Sequence, residues 1–184
     1  MPDETLWETS FSPEEILRML GLDRSVRDAV EFGCAYGTFT IPAAKIVSGT
    51  LSAIETDKGM IGRVREKAKL AGVRNIRCLL RDFITEGSGL GTGSVDYAML
   101  CNVLPDMWPE RLIREAFRIV RPGGRIGIIH WYYESRTMRG TFVETGPGPG
   151  QVRQWAEEAG FRLLRSCDLR PYHYGFVLEK PGEM

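Results

Sequence analysis

Short apolar runs and longer amphipathic stretches alternate along most of this chain. Residues 26–32, 51–54, 76–80, 95–101 and 125–131 are nearly continuous in Val, Ile, Leu and Ala, with few polar interruptions. Between them, residues 41–47, 58–71 and 110–120 carry apolar side chains at helical spacing, as in Met60, Ile61, Val64, Ala68 and Ala71. A strand whose two faces are both apolar must be covered on both faces. Alternation with helices therefore predicts a parallel α/β sheet sandwiched by helices.

The element boundaries carry their own chemistry. Ser12-Pro-Glu-Glu15 reads as a capping box with proline at the first helical position, which opens a helix over 14–20. Gly21, Gly72 and Pro122-Gly-Gly124 follow helical patterns and end them. Residues 132–150 lack periodicity, begin aromatic and end in Gly146-Pro-Gly-Pro-Gly150, which predicts a functional loop over an acceptor. A last helix spans 151–159 and stops at Gly160. Strand-like runs 161–167 and 174–179 then follow, joined closely enough through 168–173 for a hairpin. The expected architecture is a single Rossmann-like α/β domain over 1–184. It has a seven-stranded, mostly parallel sheet with an antiparallel C-terminal strand, helices on both faces, and an N-terminal cap helix within 1–22.

Composition narrows the function without naming it. The 184 residues carry 24 Lys plus Arg and 24 Asp plus Glu, so the net charge is zero. No overall electrostatic footprint for nucleic acid or an acidic membrane follows from that balance. No apolar run is long enough to span a bilayer, and residues 1–5 are acidic rather than signal-like. A cytoplasmic protein is the expectation. Cys34, Cys78, Cys101 and Cys167 are far apart in sequence and form no CxxC pair, so neither a metal centre nor a disulfide framework is expected.

The chemistry concentrates at Glu31-Phe-Gly-Cys-Ala-Tyr-Gly37. Gly33 and Gly37 bracket Ala35, giving GxAxG where a dinucleotide fingerprint needs GxGxxG, and Thr38 stands where the third glycine belongs. The simplest reading is a plain strand–turn–helix with an acid. The sharper one is a cradle that repels phosphate and attracts a cation through Glu31. The methyl group of Ala35 tightens such a loop and resists positive φ. Glu55 ends the second run at the place where an acid takes ribose hydroxyls, with Thr56 beside it. Asp82 and Phe83 follow the third run, suited to an exocyclic amine and a flat base. Three acids would thus meet on the carboxyl edge, where open α/β sheets bind ligands.

On these residues the chain resembles the class I S-adenosylmethionine-dependent methyltransferases. Glu31 to Gly37 looks like their first motif, Glu55 like the ribose acid, and Asp82-Phe83 like the adenine motif. Residues 96–102 resemble the fourth strand, and 118–130 resemble the L-x-P-G-G turn and fifth strand. The ubiquinone/menaquinone-biosynthesis type is the nearest likeness. The resemblance implies S-adenosylmethionine held by Glu31, Gly33, Ala35, Gly37, Glu55, Thr56, Asp82, Phe83 and Asn102. It also implies a small-molecule acceptor methylated by in-line displacement.

On the acceptor side, at the carboxyl ends of the fourth and fifth strands, stand Asn102, His130, a candidate base or a pocket wall, and Trp131, with Tyr132 and Tyr172. Tyr133, His173 and Tyr174 extend this aromatic set, for which packing is the simpler role. Asn102-Val-Leu-Pro105 lacks the Asn/Asp-Pro-Pro-aromatic signature of nucleobase amino methyltransferases, which argues against DNA or RNA as acceptor. The rival readings are an NAD(P)-dependent oxidoreductase and a non-catalytic S-adenosylmethionine-binding protein.

Overall fold

A computed structural model describes residues 12–104, 108–132 and 146–182. Its sheet has seven strands in the order β3-β2-β1-β4-β5-β7-β6. These are β1 (Ala29–Phe32), β2 (Leu51–Glu55), β3 (Ile76–Leu80), β4 (Val95–Cys101), β5 (Val120–Trp131), β6 (Arg162–Leu169) and β7 (His173–Glu179). The pairs among β1 to β5 are parallel, and β7 runs antiparallel to both its neighbours. Helices α1 (Pro13–Met19), α2 (Thr40–Ile46), α3 (Lys58–Leu70), α4 (Pro109–Ile119) and α5 (Pro149–Glu158) flank the sheet. The expected Rossmann-like class and its single antiparallel strand are what the chain forms.

Apolar alternation along β4 shows how the sheet serves two cores. Val95, Ala98 and Leu100 pack with Leu112, Ile113, Ala116 and Ile119 of α4 and Val152 and Ala156 of α5. Tyr97 and Met99 face the other way, onto Ile16 and Leu17 of α1 and Ala43 and Ala44 of α2. Successive side chains on a strand point to opposite faces, so each run must be apolar throughout. Ile61 and Val64 of α3 cover Cys34 and Ala53 in a smaller cluster.

The predicted capping box is present: Ser12 Oγ accepts from the Glu15 N–H, and Glu15 reaches back to the Ser12 N–H. Several boundaries differ from expectation. The first strand starts at Ala29, not residue 26, because the Asp96 carboxylate takes the N–H groups of Arg27 and Asp28 at 2.7 and 2.8 Å. The fifth begins at Val120, where the chain leaves α4 and pairs with Val95 across a register shift. The hairpin between β6 and β7 is tighter than expected, turning at residues 170–172. Residues 133–145 of the expected loop, and 1–11 of the expected cap segment, lie outside the described residues.

Candidate functional site

Parallel register fixes where the acids fall. Glu31 of β1 lies beside Ala53 of β2. Glu31 and Glu55 occupy alternate positions of their strands on the face that α2 and α3 cover, and the Glu31 carboxyl senses the charge of Glu55. Glu31 is buried, 2% exposed, and its Oε2 accepts from the Thr40 hydroxyl at 2.5 Å. Burial pushes its pKa up to about 8, and neighbouring Glu55 adds to the rise. The charge expected at Glu31 is therefore largely titrated away at neutral pH in the ligand-free protein.

The glycine loop is built against β2. Gly33 and Cys34 donate their N–H groups to the Ile54 carbonyl at 2.9 and 3.1 Å, and the Gly37 N–H closes on the Cys34 carbonyl at 2.8 Å. Gly33 has φ +70°, and a Cβ there would sit 2.6 Å from Val103 Cγ2. Ala35 overturns the expectation that its methyl resists positive φ: it adopts φ +42°. The cost of this left-handed conformation, about 1–2 kcal/mol, is offset by a directed bond. The Ala35 N–H donates to Glu55 Oε2 at 2.9 Å.

Glu55 is thus the clamp of the loop. Its Oε1 accepts from the Thr56 N–H, the Thr56 hydroxyl and the Asp57 N–H at 2.7, 3.1 and 3.2 Å. Four donors fill a carboxylate that offers about four lone-pair sites. Asp82 caps its own turn, with Oδ1 accepting from the N–H groups of Ile84 and Thr85 at 3.0 and 3.2 Å. The Thr85 hydroxyl first, and then these N–H groups, hold its carboxyl below the usual range. Phe83 is buried and meets Phe32 edge-on at 5.5 Å. It lies under Gly33, so it shapes the floor of the loop.

A second cluster stands at the carboxyl ends of β4, β5 and β7. Asn102 follows β4 at φ +53°, its N–H on the Ile129 carbonyl at 2.8 Å. Its Nδ2 lies 3.4 Å from His173 Nε2. Cross-strand register brings His130 opposite Tyr174 and Trp131 opposite His173. The first pair stacks with ring centroids 6.1 Å apart and the second tilts at 3.9 Å. Tyr132 meets Tyr174 edge-on at 5.4 Å and donates its N–H to the Tyr172 carbonyl at 2.7 Å. Burial, and after it the nearby His130, drives the His173 pKa down to about 3.

The fold brings Glu31, Gly33, Ala35, Gly37, Glu55 and Thr56 to one loop, with Phe83 beneath it, while Asp82 serves its own turn. Asn102, His130, Trp131, Tyr132 and Tyr172 gather in the neighbouring cluster, and Val103 bridges the two through its contact with Gly33. His173 is the member the sequence left among undifferentiated aromatics. Only the β5–β7 register, which puts it against Trp131 and within reach of Asn102, singles it out. Among the described residues no group of three or more His, Cys, Asp or Glu is arranged for a metal, and no helix is long and apolar enough to cross a membrane.

Comparison with known proteins agrees with this geometry. The family described as "Methyltransferase domain" matches residues 29–124, the stretch holding the glycine loop and the first four strands. A search of curated proteins finds no match. Among solved structures, a SAM-dependent methyltransferase from Aquifex aeolicus superposes with a TM-score of 0.77 at 23% identity, covering 98% of this chain and 100% of that one. Geranyl diphosphate methyltransferase in complex with SAM gives 0.75 at 12% identity, covering 91% of this chain and 84% of its own. The [4+2]-cyclase SpnF gives 0.76 at 16%, covering 93% and 81%. By family match, strand order and glycine loop, this chain belongs to the methyltransferase domain family and is a class I S-adenosylmethionine-dependent methyltransferase.

Proposed function

We propose that the chain transfers a methyl group from S-adenosylmethionine to a small-molecule acceptor by in-line displacement. The observation that carries this reading is the clamp from Glu55 to Ala35, which fixes a small-residue loop over two neighbouring acids without a phosphate cradle. When bound, S-adenosylmethionine supplies a methyl group made electrophilic by a sulfonium. Gly33, Ala35 and Gly37 let the backbone approach it. Glu55 gives the loop a negative potential that suits its cationic end, and Glu31 would add to it on giving up its proton. The ribose hydroxyls would take Glu55 at the expense of its two longest bonds, from the Thr56 hydroxyl and the Asp57 N–H. Asp82 and Phe83 border the place for the adenine.

An acceptor would have to be held with its lone pair in line with the methyl group that the cofactor supplies, and charge would disperse rather than build up on transfer. Alignment and exclusion of water would then supply much of the rate, and the aromatic wall of buried His130 and Tyr174 with half-buried Trp131 and Tyr132 suits that task. His130 is a wall residue before it is a base, since it is buried and stacked on Tyr174. The loop 132–150 would close this side, with all of 1–184 serving as one catalytic domain in the cytoplasm. Because the same fold carries a cyclase, turnover is the deciving step of the test. Thermal shift with S-adenosylmethionine, S-adenosylhomocysteine and NAD, followed by methyl transfer to a panel of small acceptors, decides it. Stabilisation by the first two and methylated product support the reading. Stabilisation by NAD alone sinks it, and tight binding with no product would favour a non-catalytic role.

A further inference from the structure

The zero net charge of the chain conceals a segregation. From the first residue of α3 to the last of β3, residues 58–80 carry seven Lys or Arg and one acid, Glu66. The rest of the chain is correspondingly acidic. Because β3 is an edge strand, this basic stretch forms one flank of the sheet. A cavity of about 410 Å³ opens there. Arg65 and Lys69 of α3 and Arg74 of the following turn stand around it, with Val73, Ile76 and Cys78 as its less polar lining. All three cations are exposed, and no acid lines the cavity. Among the described residues no carboxylate forms an ion pair with any of them. Arg65 reaches the Cys78 thiol, which burial pushes up and so keeps neutral.

Three uncompensated cations around one cavity are unfavourable for the unliganded fold. Arg65 and Lys69 are one helical turn apart, and like charges at that spacing destabilise a helix. Lys69 lies in the last turn, where a cation suits the negative end of the helix dipole. Arg65 precedes that turn and Arg74 lies beyond the helix. Charge on an edge strand guards it against pairing with another sheet, and Arg77 of β3 supplies that. Neither need accounts for Arg65 and Arg74. A multivalent anion does, because guanidinium forks match phosphate oxygens in pairs and an ammonium adds a point charge. The other cations of the flank do not prolong the row. Ile76 and Cys78 pack toward α3, so Arg77 between them belongs to the opposite face of the sheet. Arg63 lies over the Tyr36 ring, 5.4 Å from its centroid. The charge is thus gathered at one cavity rather than laid out as a track for a long strand, and small-molecule sites run from about 300 to 1,000 Å³.

We propose that the α3–β3 cavity binds a compact phosphate-rich anion, a small molecule carrying two or more linked phosphates, through Arg65, Lys69 and Arg74. No residue of the glycine loop lines this cavity, so it is a second site, independent of what the loop holds.

Calorimetry of the full chain with sodium tripolyphosphate, at neutral pH and low salt, tests this. One equivalent is expected to bind, more weakly as salt is added. Replacing the three cations together, Arg65→Gln with Lys69→Gln and Arg74→Gln, should weaken binding at least about tenfold, since hydrogen bonds between charged groups are lost. A control that removes the same charge elsewhere, Arg24→Gln with Lys45→Gln and Arg114→Gln at exposed positions outside the cavity, should stay within about twofold. The cavity variant should melt no lower than the wild type without ligand, because like charges have been removed from an exposed surface. Tripolyphosphate should raise the melting temperature of the wild type and not of the cavity variant. Saturating S-adenosylhomocysteine should leave tripolyphosphate binding in place. Equal losses in the cavity and control variants would reduce the effect to net charge and overturn the proposal. Displacement by S-adenosylhomocysteine would move the anion to the glycine loop and also overturn it. So would a wild-type protein that ignores tripolyphosphate, and binding of a single-stranded deoxyoligonucleotide in its place would make the flank a nucleic-acid surface instead.

Discussion

Replacing Glu31 with glutamine removes a carboxyl that the fold keeps dry. Its pKa rises from 4.5 to about 8, chiefly through burial. Between those values the native protein holds a proton that the unfolded chain has released. Stability contributed by this group is complete below pH 4.5 and is lost as pH climbs through 8. At about 1.36 kcal/mol per pH unit, the full loss approaches 5 kcal/mol, a ceiling that structural relaxation lowers. Glu31→Gln keeps the shape and still accepts the Thr40 hydroxyl, but does not titrate. The variant and the wild type should therefore be equally stable at pH 4.5. By pH 8.5 the cofactor-free variant should be more stable by about 3–5 kcal/mol. Urea denaturation across that range measures the difference, and comparing the two proteins cancels every other titrating group to first order. A gap that stays constant with pH would refute the account of a buried, protonated Glu31.

Other consequences are as direct. Glu55→Ala should weaken S-adenosylmethionine tenfold or more by calorimetry, about 1.5–3 kcal/mol for lost bonds to a charged group, and destabilise the loop by leaving the Ala35 N–H unpaired. Gly33→Ala places a methyl against Val103 at φ +70°, so cofactor affinity should fall at least tenfold by calorimetry and recover in part when Val103→Ala makes room. Ala35→Gly relieves a left-handed alanine and should raise the melting temperature by about 2–4 °C for roughly 1 kcal/mol gained, as differential scanning calorimetry would record.

The fold was legible because its signals are local and repeated. Five apolar runs separated by amphipathic stretches admit few arrangements other than a helix-covered parallel sheet, and the capping box and terminal glycines set the helix ends. Boundaries slipped where a distant side chain intervened, as when Asp96 took the N–H groups that would have extended β1. The glycine loop was legible as chemistry, but not as geometry. Spacing placed Glu55 near the loop, yet nothing in the sequence tells that its carboxylate would hold Ala35 at positive φ. Glu31 was found as an acid and misread as a standing charge, since burial is a property of the packed sheet. His173 stayed hidden because its meaning depends on pairing with β5, more than forty residues earlier in the chain.

The most direct measurement of the central claim is a crystal structure of the protein with S-adenosylhomocysteine. The account predicts the ligand on the glycine loop, with both ribose hydroxyls within roughly 2.6–3.2 Å of the Glu55 carboxylate and the Thr56 hydroxyl displaced from it. Its amino group should lie on the Glu31 side of the loop. A ligand bound elsewhere, or one lying on the loop while Glu55 keeps all four of its present donors, would contradict it.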